Sequence, residues 1–144
     1  VTIETCGYFR WKNIENLLPY IDLIYFDIKH LGSQKHKIFT GVSNNLILEN
    51  FTSFSKSFQH VQARIPLIPG KNDHEDHLIQ ISQFLLENNN STIHCLPYHN
   101  FGEAKLPRMN TKLKSLNIKR HSEKEIQKIK DTFNNQGIKA KFYD

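Results

Sequence analysis

Cysteine is scarce in this sequence, because the 144 residues contain only Cys6 and Cys95, which lie far apart. Two such cysteines exclude a disulfide framework and a paired Cys-x-x-Cys metal site, and they favour a reducing compartment such as the cytoplasm. Long apolar runs are lacking too, since none approaches the roughly 20 residues that span a bilayer. The first residues, Val1 to Thr5, show neither a starting methionine nor the pattern of a signal peptide. We therefore expect the middle of a longer chain, with no membrane partner.

Acidic residues are outnumbered, with 14 aspartates and glutamates against 19 lysines and arginines and a net charge of +5. Such a balance would suit an acidic partner, but the lysines are scattered over the predicted solvent faces of helices and strands. A solvated surface without nucleic acid is therefore the better interpretation. The alternative is a non-catalytic basic binding domain that contacts nucleic acid through its lysines.

Apolar periodicity predicts strands and helices in alternation. After a first strand that ends near Cys6, the predicted strands are Leu23 to Ile28, Val61 to Ile68, Thr92 to Pro97 and Ile138 to Phe142. The predicted helices are Lys12 to about Tyr20, Ser33 to Phe39, Asn45 to about Phe58, one capped by Asn72, and one opened by a capping box of Ser122 and Glu125. Irregular residues from Tyr98 to His121 separate the last two helices.

This order is typical of βαβ units, so the sequence predicts an α/β fold with a parallel sheet and outer helices. A chain of 144 residues can bury a core but is shorter than a complete (β/α)8 barrel of about 250 residues. The nearly continuous apolar run from Leu23 to Ile28 predicts a strand that is covered on both faces. Ligands should gather at the carboxyl ends of the strands.

Polar residues stand at that edge of the predicted sheet. Because side chains alternate along a strand, Asp27 and Lys29 lie on one face at the end of their strand. They form either an internal ion pair or part of a site for a polar ligand, since buried charges are costly unless they are paired. Arg64, inside the next strand, must also face a partner or a ligand. His99 follows the strand Thr92 to Pro97 and so reaches the same edge.

Other reactive residue types carry a weaker signal. His74 and His77 lack the His-Glu-x-x-His spacing of zinc proteases, and we interpret them as part of an exposed, charged first turn of a helix. Cys95 lies within a predicted strand, where a free thiol usually packs as a small apolar group. Neither cysteine is expected to act as a nucleophile.

Five short segments occur in an order and at a spacing that are typical of one enzyme family, across essentially the whole chain. They are Glu4-Thr5-Cys6-Gly7-Tyr8, Asp27-Ile28-Lys29-His30, His36 to Asn44, Arg64 to Gly70, and Leu96-Pro97-Tyr98-His99 with Gly102 and Lys105. In these segments the chain resembles pyruvate formate-lyase activating enzyme and related glycyl-radical activases, which are radical S-adenosylmethionine enzymes.

The resemblance implies the C-terminal part of a partial (β/α)6 barrel that binds S-adenosylmethionine and a four-iron four-sulfur cluster. In this family an electron from the cluster cleaves the sulfonium, and a 5'-deoxyadenosyl radical removes hydrogen from a backbone glycine of a partner enzyme. The implied partners are a glycyl-radical enzyme such as pyruvate formate-lyase and a flavodoxin or ferredoxin that donates the electron. A radical S-adenosylmethionine enzyme with another substrate is the alternative within the superfamily.

The resemblance also implies roles for the residues at the strand ends. Asp27 and Lys29 would contact the ribose and methionine parts of S-adenosylmethionine, and His99 would lie near its nucleoside end. Arg64 would line the active-site lumen.

A monovalent cation is implied beside the carboxylate of S-adenosylmethionine. Its position in the family corresponds to Glu4 and Thr5, the backbone at Tyr25, and the carboxylate of Asp27.

The chain departs from the family pattern in what it lacks. The cluster loop, Cys-x-x-x-Cys-x-x-Cys, and the Gly-Gly-Glu segment that holds the methionine amine are expected upstream of Val1. Cys6 and Cys95 cannot replace three cluster thiolates, so we expect no iron–sulfur ligand in this chain. We expect one partial barrel domain over residues 1–144, inactive by itself.

Overall fold

A computed structural model describes residues 1–100 and 115–143. Within them, one parallel sheet has the strand order β1-β2-β3-β4-β5. The strands are β1 (Thr2–Thr5), β2 (Leu23–Asp27), β3 (Val61–Leu67), β4 (Thr92–Pro97) and β5 (Lys139–Phe142). Strands that are neighbours in the sequence are neighbours in the sheet, which is the arrangement of a barrel wall. The predicted parallel α/β fold is confirmed.

In the described part of the chain, four α-helices connect the strands and account for most of the predicted helical segments. They are α1 (Ser33–Thr40), α2 (Asn45–Ser57), α3 (Glu75–Glu87) and α4 (Glu123–Asn135). The segment predicted as a helix from Lys12 to Tyr20 instead forms two short 3-10 helices, Trp11–Asn13 and Glu15–Tyr20. Pro19 lies inside the second one, and its ring nitrogen has no hydrogen to donate to an α-helical bond.

The core lies between one face of the sheet and helices α2 to α4. The fully buried sheet residues include Phe26 in β2, Ile65 in β3 and Cys95 in β4, each 0% exposed. The helices contribute apolar residues at helical spacing, among them Ile47, Phe51, Phe54, Leu78, Ile81, Leu85, Ile129 and Phe133. Because side chains alternate along a strand, the same strands carry a second face that these helices do not cover.

That second face corrects one expectation about β2. Tyr25 and Asp27 are only half-buried, whereas Ile24 and Phe26 are buried. The prediction that the strand is covered on both faces is therefore wrong for the described residues. The apolar run reflects strand-forming residues on both faces, but the helices pack against only one of them.

Two helix starts were predicted, and one of them is correct. Ser122 and Glu125 form the capping box of α4, in which the Ser122 N–H donates to the Glu125 carboxylate at 2.7 Å. Asn72 does not cap α3, whose N-cap residue is His74. The Asn72 side chain is instead bound to backbone groups of β3 and of the segment after β2. Those tertiary partners outweigh a local cap.

The long segment from Tyr98 to His121 is described only in part. Residues 101–114, with Gly102 and Lys105, lie outside the described residues, and residues 115–121 form no helix or strand. Among the helices described in residues 1–100 and 115–143, none is long and apolar enough to cross a membrane.

Candidate ligand site at the carboxyl edge of the sheet

Register brings Asp27 and Arg64 together on the open face of the sheet. The two residues are paired across β2 and β3, and Arg64 is paired in turn with His94 of β4. Arg64 Nε donates to Asp27 Oδ1 at 2.7 Å. Arg64 Nη1 lies 3.1 Å from Glu4 Oε1, so one guanidinium bridges carboxylates of β1 and β2. Its Cζ also lies 5.4 Å from the centre of the Tyr25 ring.

This ion cluster is partly shielded from water. The side chains of Arg64 and Asp27 are 15% and 21% exposed, whereas that of Glu4 is 63% exposed. Burial alone would lower the pKa of Arg64, but hydrogen bonds to Asp27 and Glu4 raise it above its ordinary value. The same hydrogen bond lowers the pKa of Glu4. The guanidinium and the Glu4 carboxylate therefore stay charged over the physiological range.

Lys29 lies beyond this cluster, at the end of β2, and lines a cavity of about 680 Å³. Pro66 and Ile68 at the end of β3 contribute apolar surface to the same cavity, which Phe39 and Lys71 also line. Among the described residues, no carboxylate forms an ion pair with Lys29. A cation thus faces a cavity whose volume lies within the range of about 300–1,000 Å³ for small-molecule sites.

His99 lies at the carboxyl end of β4, as the sequence predicts, but it lines a different cavity. That cavity, of about 430 Å³, is also lined by Pro97, His121 and residues of α4 such as Ile126. The structure therefore brings Asp27 and Arg64 into contact, places Lys29 two residues past the end of β2, and puts His99 in a separate cavity.

The residues of the implied cation position are not grouped around one point. Glu4 and Thr5 are adjacent in β1 and so lie on opposite faces of the sheet. Thr5 Oγ1 accepts a hydrogen bond from the Gly7 N–H at 2.9 Å. The Arg64 guanidinium lies between the carboxylates of Glu4 and Asp27, so a cation would have to displace it. The cation position stays a prediction.

Several residues around the site were missed or misinterpreted. His77 is 6% exposed and hydrogen-bonded, so the interpretation of an exposed charged turn is wrong for it, while His74 is exposed. His94 lies on the open face with its ring 5.0 Å from that of Tyr143. The alternation of β4 would have placed it there. Cys95 packs as an apolar group as predicted, and burial raises the pKa of its thiol to about 12.

The chemistry of these groups fits S-adenosylmethionine. A carboxylate and ribose hydroxyls need a cation and hydrogen-bonding groups, which Lys29 and Asp27 provide at the edge of the sheet. A purine ring needs apolar wall, which Pro66 and Ile68 provide in the cavity that Lys29 lines. No cysteine of the described residues stands in a group that could bind an iron–sulfur cluster.

The chain is similar to known proteins over nearly its whole length. No family model matches it. The trans-4-hydroxy-L-proline dehydratase activating enzyme of Clostridioides difficile is 36% identical over 143 residues, which cover 98% of this chain and 47% of the relative. The (2S)-3-sulfopropanediol dehydratase activating enzyme of Klebsiella oxytoca is 34% identical over 142 residues, covering 94% and 45%. The chain is a homologue of the glycyl-radical enzyme activating enzymes.

A solved structure extends this homology to the fold. A domain of pyruvate-formate lyase-activating enzyme from Bacteroides vulgatus superimposes with a TM-score of 0.79 and 24% identity, covering 99% of this chain and 80% of the domain. The sheet and helices are thus part of the radical S-adenosylmethionine (β/α) fold, as the resemblance implied. The chain spans slightly less than half the length of these two curated relatives.

Proposed function

We propose that this chain is part of a radical S-adenosylmethionine activase that installs a glycyl radical on a partner enzyme. The observation that carries the proposal is the position of Lys29. In a chain homologous to activating enzymes over 98% of its length, a lysine that has no ion pair within residues 1–100 and 115–143 lines a cavity of small-molecule size at the carboxyl edge of a parallel sheet. The homology does not favour a basic binding domain without catalysis.

The roles proposed for the chain's own residues are binding and orientation. Lys29 binds the methionine carboxylate or the ribose of S-adenosylmethionine. Asp27 Oδ2, the oxygen that Arg64 Nε does not bind, accepts a hydrogen bond from S-adenosylmethionine. Arg64 holds the Asp27 carboxylate in place, since its Nε lies 2.7 Å from Asp27 Oδ1. His99 contributes to the nucleoside end only if the ligand extends from the cavity of Lys29 towards that of His99.

The remaining chemistry belongs to groups outside these residues. A four-iron four-sulfur cluster, when bound, supplies the electron for cleavage of S-adenosylmethionine. We propose that cysteines outside this chain hold it, because Cys6 is exposed alone and Cys95 is buried with a raised pKa. We also propose a monovalent cation at the position of Glu4, Thr5, Tyr25 and Asp27. Binding of this ion requires Arg64 to move away from the carboxylates of Glu4 and Asp27.

The partner is proposed to be a glycyl-radical enzyme, with the reaction placed in the cytoplasm and a flavodoxin or ferredoxin as electron donor. Pyruvate formate-lyase is the first candidate from the sequence resemblance. The relatives' names add two dehydratases, of trans-4-hydroxy-L-proline and of (2S)-3-sulfopropanediol. Full-length activase, each candidate enzyme and S-adenosylmethionine can be mixed under reducing conditions, and electron paramagnetic resonance then detects a glycyl radical. A candidate whose radical-bearing glycine is replaced by alanine is the control.

The proposed chemistry is tested without a partner. The full-length protein is reconstituted anaerobically with iron and sulfide, cluster content is verified, and a reductant and S-adenosylmethionine are added. We expect 5'-deoxyadenosine as a product. No product from protein with a verified cluster would contradict the proposed function.

A further inference from the structure

The backbone that carries Lys29 continues past the end of β2 into the turn before α1. Hydrogen bonding between β2 and β3 reaches Ile28, whose N–H donates to the Arg64 carbonyl at 2.8 Å. At the next residue, the Lys29 carbonyl accepts a hydrogen bond from Asn72 Nδ2 at 3.0 Å. A side chain from the loop after β3 thus replaces the sheet in fixing the chain at Lys29.

Asn72 ties the ends of the two strands together. Its Nδ2 also donates to the Pro66 carbonyl at 2.7 Å, and its Oδ1 accepts from the Ile68 N–H at 2.8 Å. The side chain is 3% exposed, so water does not compete for these bonds. Lys29, Pro66 and Ile68 all line the same cavity of about 680 Å³. Asn72 therefore sets the spacing of three residues in one cavity wall.

His77 holds the residues that follow Lys29. Its Nε2 accepts from the Leu31 N–H at 3.1 Å, and its Nδ1 donates to the Asn72 carbonyl at 2.8 Å. This arrangement requires a neutral ring with its hydrogen on Nδ1. Burial lowers the pKa of His77 and so favours the neutral form. The ring also stacks on that of His30, with 4.0 Å between the ring centres.

We infer that Asn72 and His77 are positioning residues that hold the backbone of Lys29 so that its ammonium meets S-adenosylmethionine in the cavity. The inference rests on the proposed function. A lysine side chain has a flexible four-carbon stem, so only its backbone can be fixed in advance. Preorganisation of that backbone strengthens binding because less freedom is lost when the ligand arrives. Without Asn72, the carbonyls of Lys29 and Pro66 lose a donor and the turn can move.

A matched control lies in helix α2. Asn50 of α2 is 2% exposed, and its Nδ2 donates to the carbonyls of Gly7 and Phe9 at 2.8 and 2.7 Å. Like Asn72, it is a buried asparagine that binds two backbone carbonyls. It bonds the segment after β1 and not the turn that contains Lys29. A loss caused only by a broken buried asparagine should therefore be the same at both positions.

The test uses full-length protein with its reconstituted cluster. The dissociation constant for S-adenosylmethionine is measured by calorimetry, and the thermal midpoint is measured in parallel. We expect Asn72→Ala to raise the dissociation constant about tenfold, because a misplaced lysine loses its contact with the ligand. Asn50→Ala should lower the thermal midpoint by about as much as Asn72→Ala does. It should leave the dissociation constant within about twofold of the wild-type value. Equal dissociation constants for the two variants would overturn the inference.

A double-mutant cycle separates positioning from a general loosening of the cavity. In Lys29→Ala protein, adding Asn72→Ala should leave the dissociation constant within about twofold, because there is no lysine left to position. A rise by the same factor as in the wild-type background would contradict the inference. Wild-type protein that does not bind S-adenosylmethionine at all would instead contradict the proposed function, and the inference with it.

His77→Phe keeps the test decisive if Asn72→Ala does not fold. The phenyl ring preserves stacking on His30 but removes the bonds to Leu31 and to the Asn72 carbonyl. We expect the dissociation constant to rise about threefold, less than for Asn72, because Asn72 still bonds the Lys29 carbonyl. An unchanged dissociation constant in folded His77→Phe protein would overturn the role of His77. If Asn72→Ala does not fold, that result would overturn the whole inference.

Discussion

The two faces of the sheet are built from alternate residues of the same strands, yet they differ in what they hold. On the helix side, Phe26 and Ile65 are 0% exposed and pack only apolar surface. On the open side, their sequence neighbours Tyr25, Asp27 and Arg64 are half-buried, and Arg64 both donates a hydrogen bond to Asp27 and lies over the Tyr25 ring. Under the proposed function, the helix side stabilises the fold and the open side contributes to ligand binding. Substitutions one residue apart should therefore differ in their effect on the free energy of unfolding.

The largest expected effect is the loss of a ring on the helix side. Phe26→Ala removes edge contacts with Phe51 and Phe54, whose ring centres lie 5.2 and 6.0 Å away. It should lower the free energy of unfolding by about 3–5 kcal/mol in urea titrations of the full-length protein. Tyr25→Ala, one residue earlier on the open face, should cost about 1 kcal/mol. Equal losses of unfolding free energy in the two variants would contradict the difference between the two faces.

A smaller effect is expected within the ion cluster of the open face. Arg64→Ala leaves the Asp27 carboxylate, only 21% exposed, without its partner at 2.7 Å. The free energy of unfolding should fall by about 1–3 kcal/mol, the cost of an unsatisfied buried group. Glu4→Ala removes the exposed partner, and the same urea titration should show a smaller loss. A larger loss of unfolding free energy for Glu4→Ala than for Arg64→Ala would contradict the expectation that the more buried partners contribute more to stability.

The stability of the fold is expected to fall in acid because of His30, which lies in the turn after β2 and stacks on His77 of α3. Burial, and then the neighbouring His77, lower the pKa of His30 to about 4. An unfolded histidine binds its proton near pH 6.5, so the unfolded state takes up more protons between about pH 6.5 and 4. Stability is therefore full above that window and falls as the pH decreases through it. The urea midpoint should drop between about pH 7.5 and 5, and His30→Phe should reduce the drop.

The control for acid sensitivity is an exposed histidine. His60→Phe should leave the drop in urea midpoint as it is in the wild type, because His60 is exposed. The buried His94 contributes in the same direction, since burial lowers its pKa too, so a residual drop is expected in His30→Phe. An undiminished drop in His30→Phe would show that other groups control the acid sensitivity.

The smallest effect is expected on the outer surface of the helices. Lys128 Nζ lies 3.5 Å from a Glu75 carboxylate oxygen, but the side chains are 73% and 58% exposed. Lys128→Ala should change the free energy of unfolding by less than about 0.5 kcal/mol, because water screens such a pair. The effect should vanish in high salt, and a salt-independent loss above that size would contradict this.

Much of the fold could be predicted because its signals are local. β4 has the predicted bounds, Thr92–Pro97, and α4 begins at the predicted capping box of Ser122 and Glu125. Both depend on residues within one turn or one strand. The segment before Tyr20 was predicted less well, since Pro19 permits 3-10 turns that apolar spacing alone does not distinguish from an α-helix.

The candidate site could be predicted only in part, because its geometry depends on contacts between distant segments. Strand periodicity placed Asp27 and Lys29 on one face, but it could not decide whether Asp27 pairs with Lys29 or with Arg64. Register decides for Arg64. Asn72 resembled a helix cap locally, while its partners at Lys29 and Pro66 come from the ends of two strands. Sequence spacing carries no information about such side-chain contacts.

The proposal that the carboxyl edge of the sheet binds S-adenosylmethionine through Lys29 is tested most directly by titration. S-adenosylmethionine is titrated into the reconstituted full-length protein and into two lysine variants. Lys29→Ala removes one of the two lysines that line the cavity, and Lys37→Ala removes an exposed cation of α1. We predict that the dissociation constant rises about tenfold or more for Lys29→Ala and stays within about twofold for Lys37→Ala, with cluster content unchanged in both. Equal dissociation constants for the two variants would contradict the assignment of this edge of the sheet to S-adenosylmethionine.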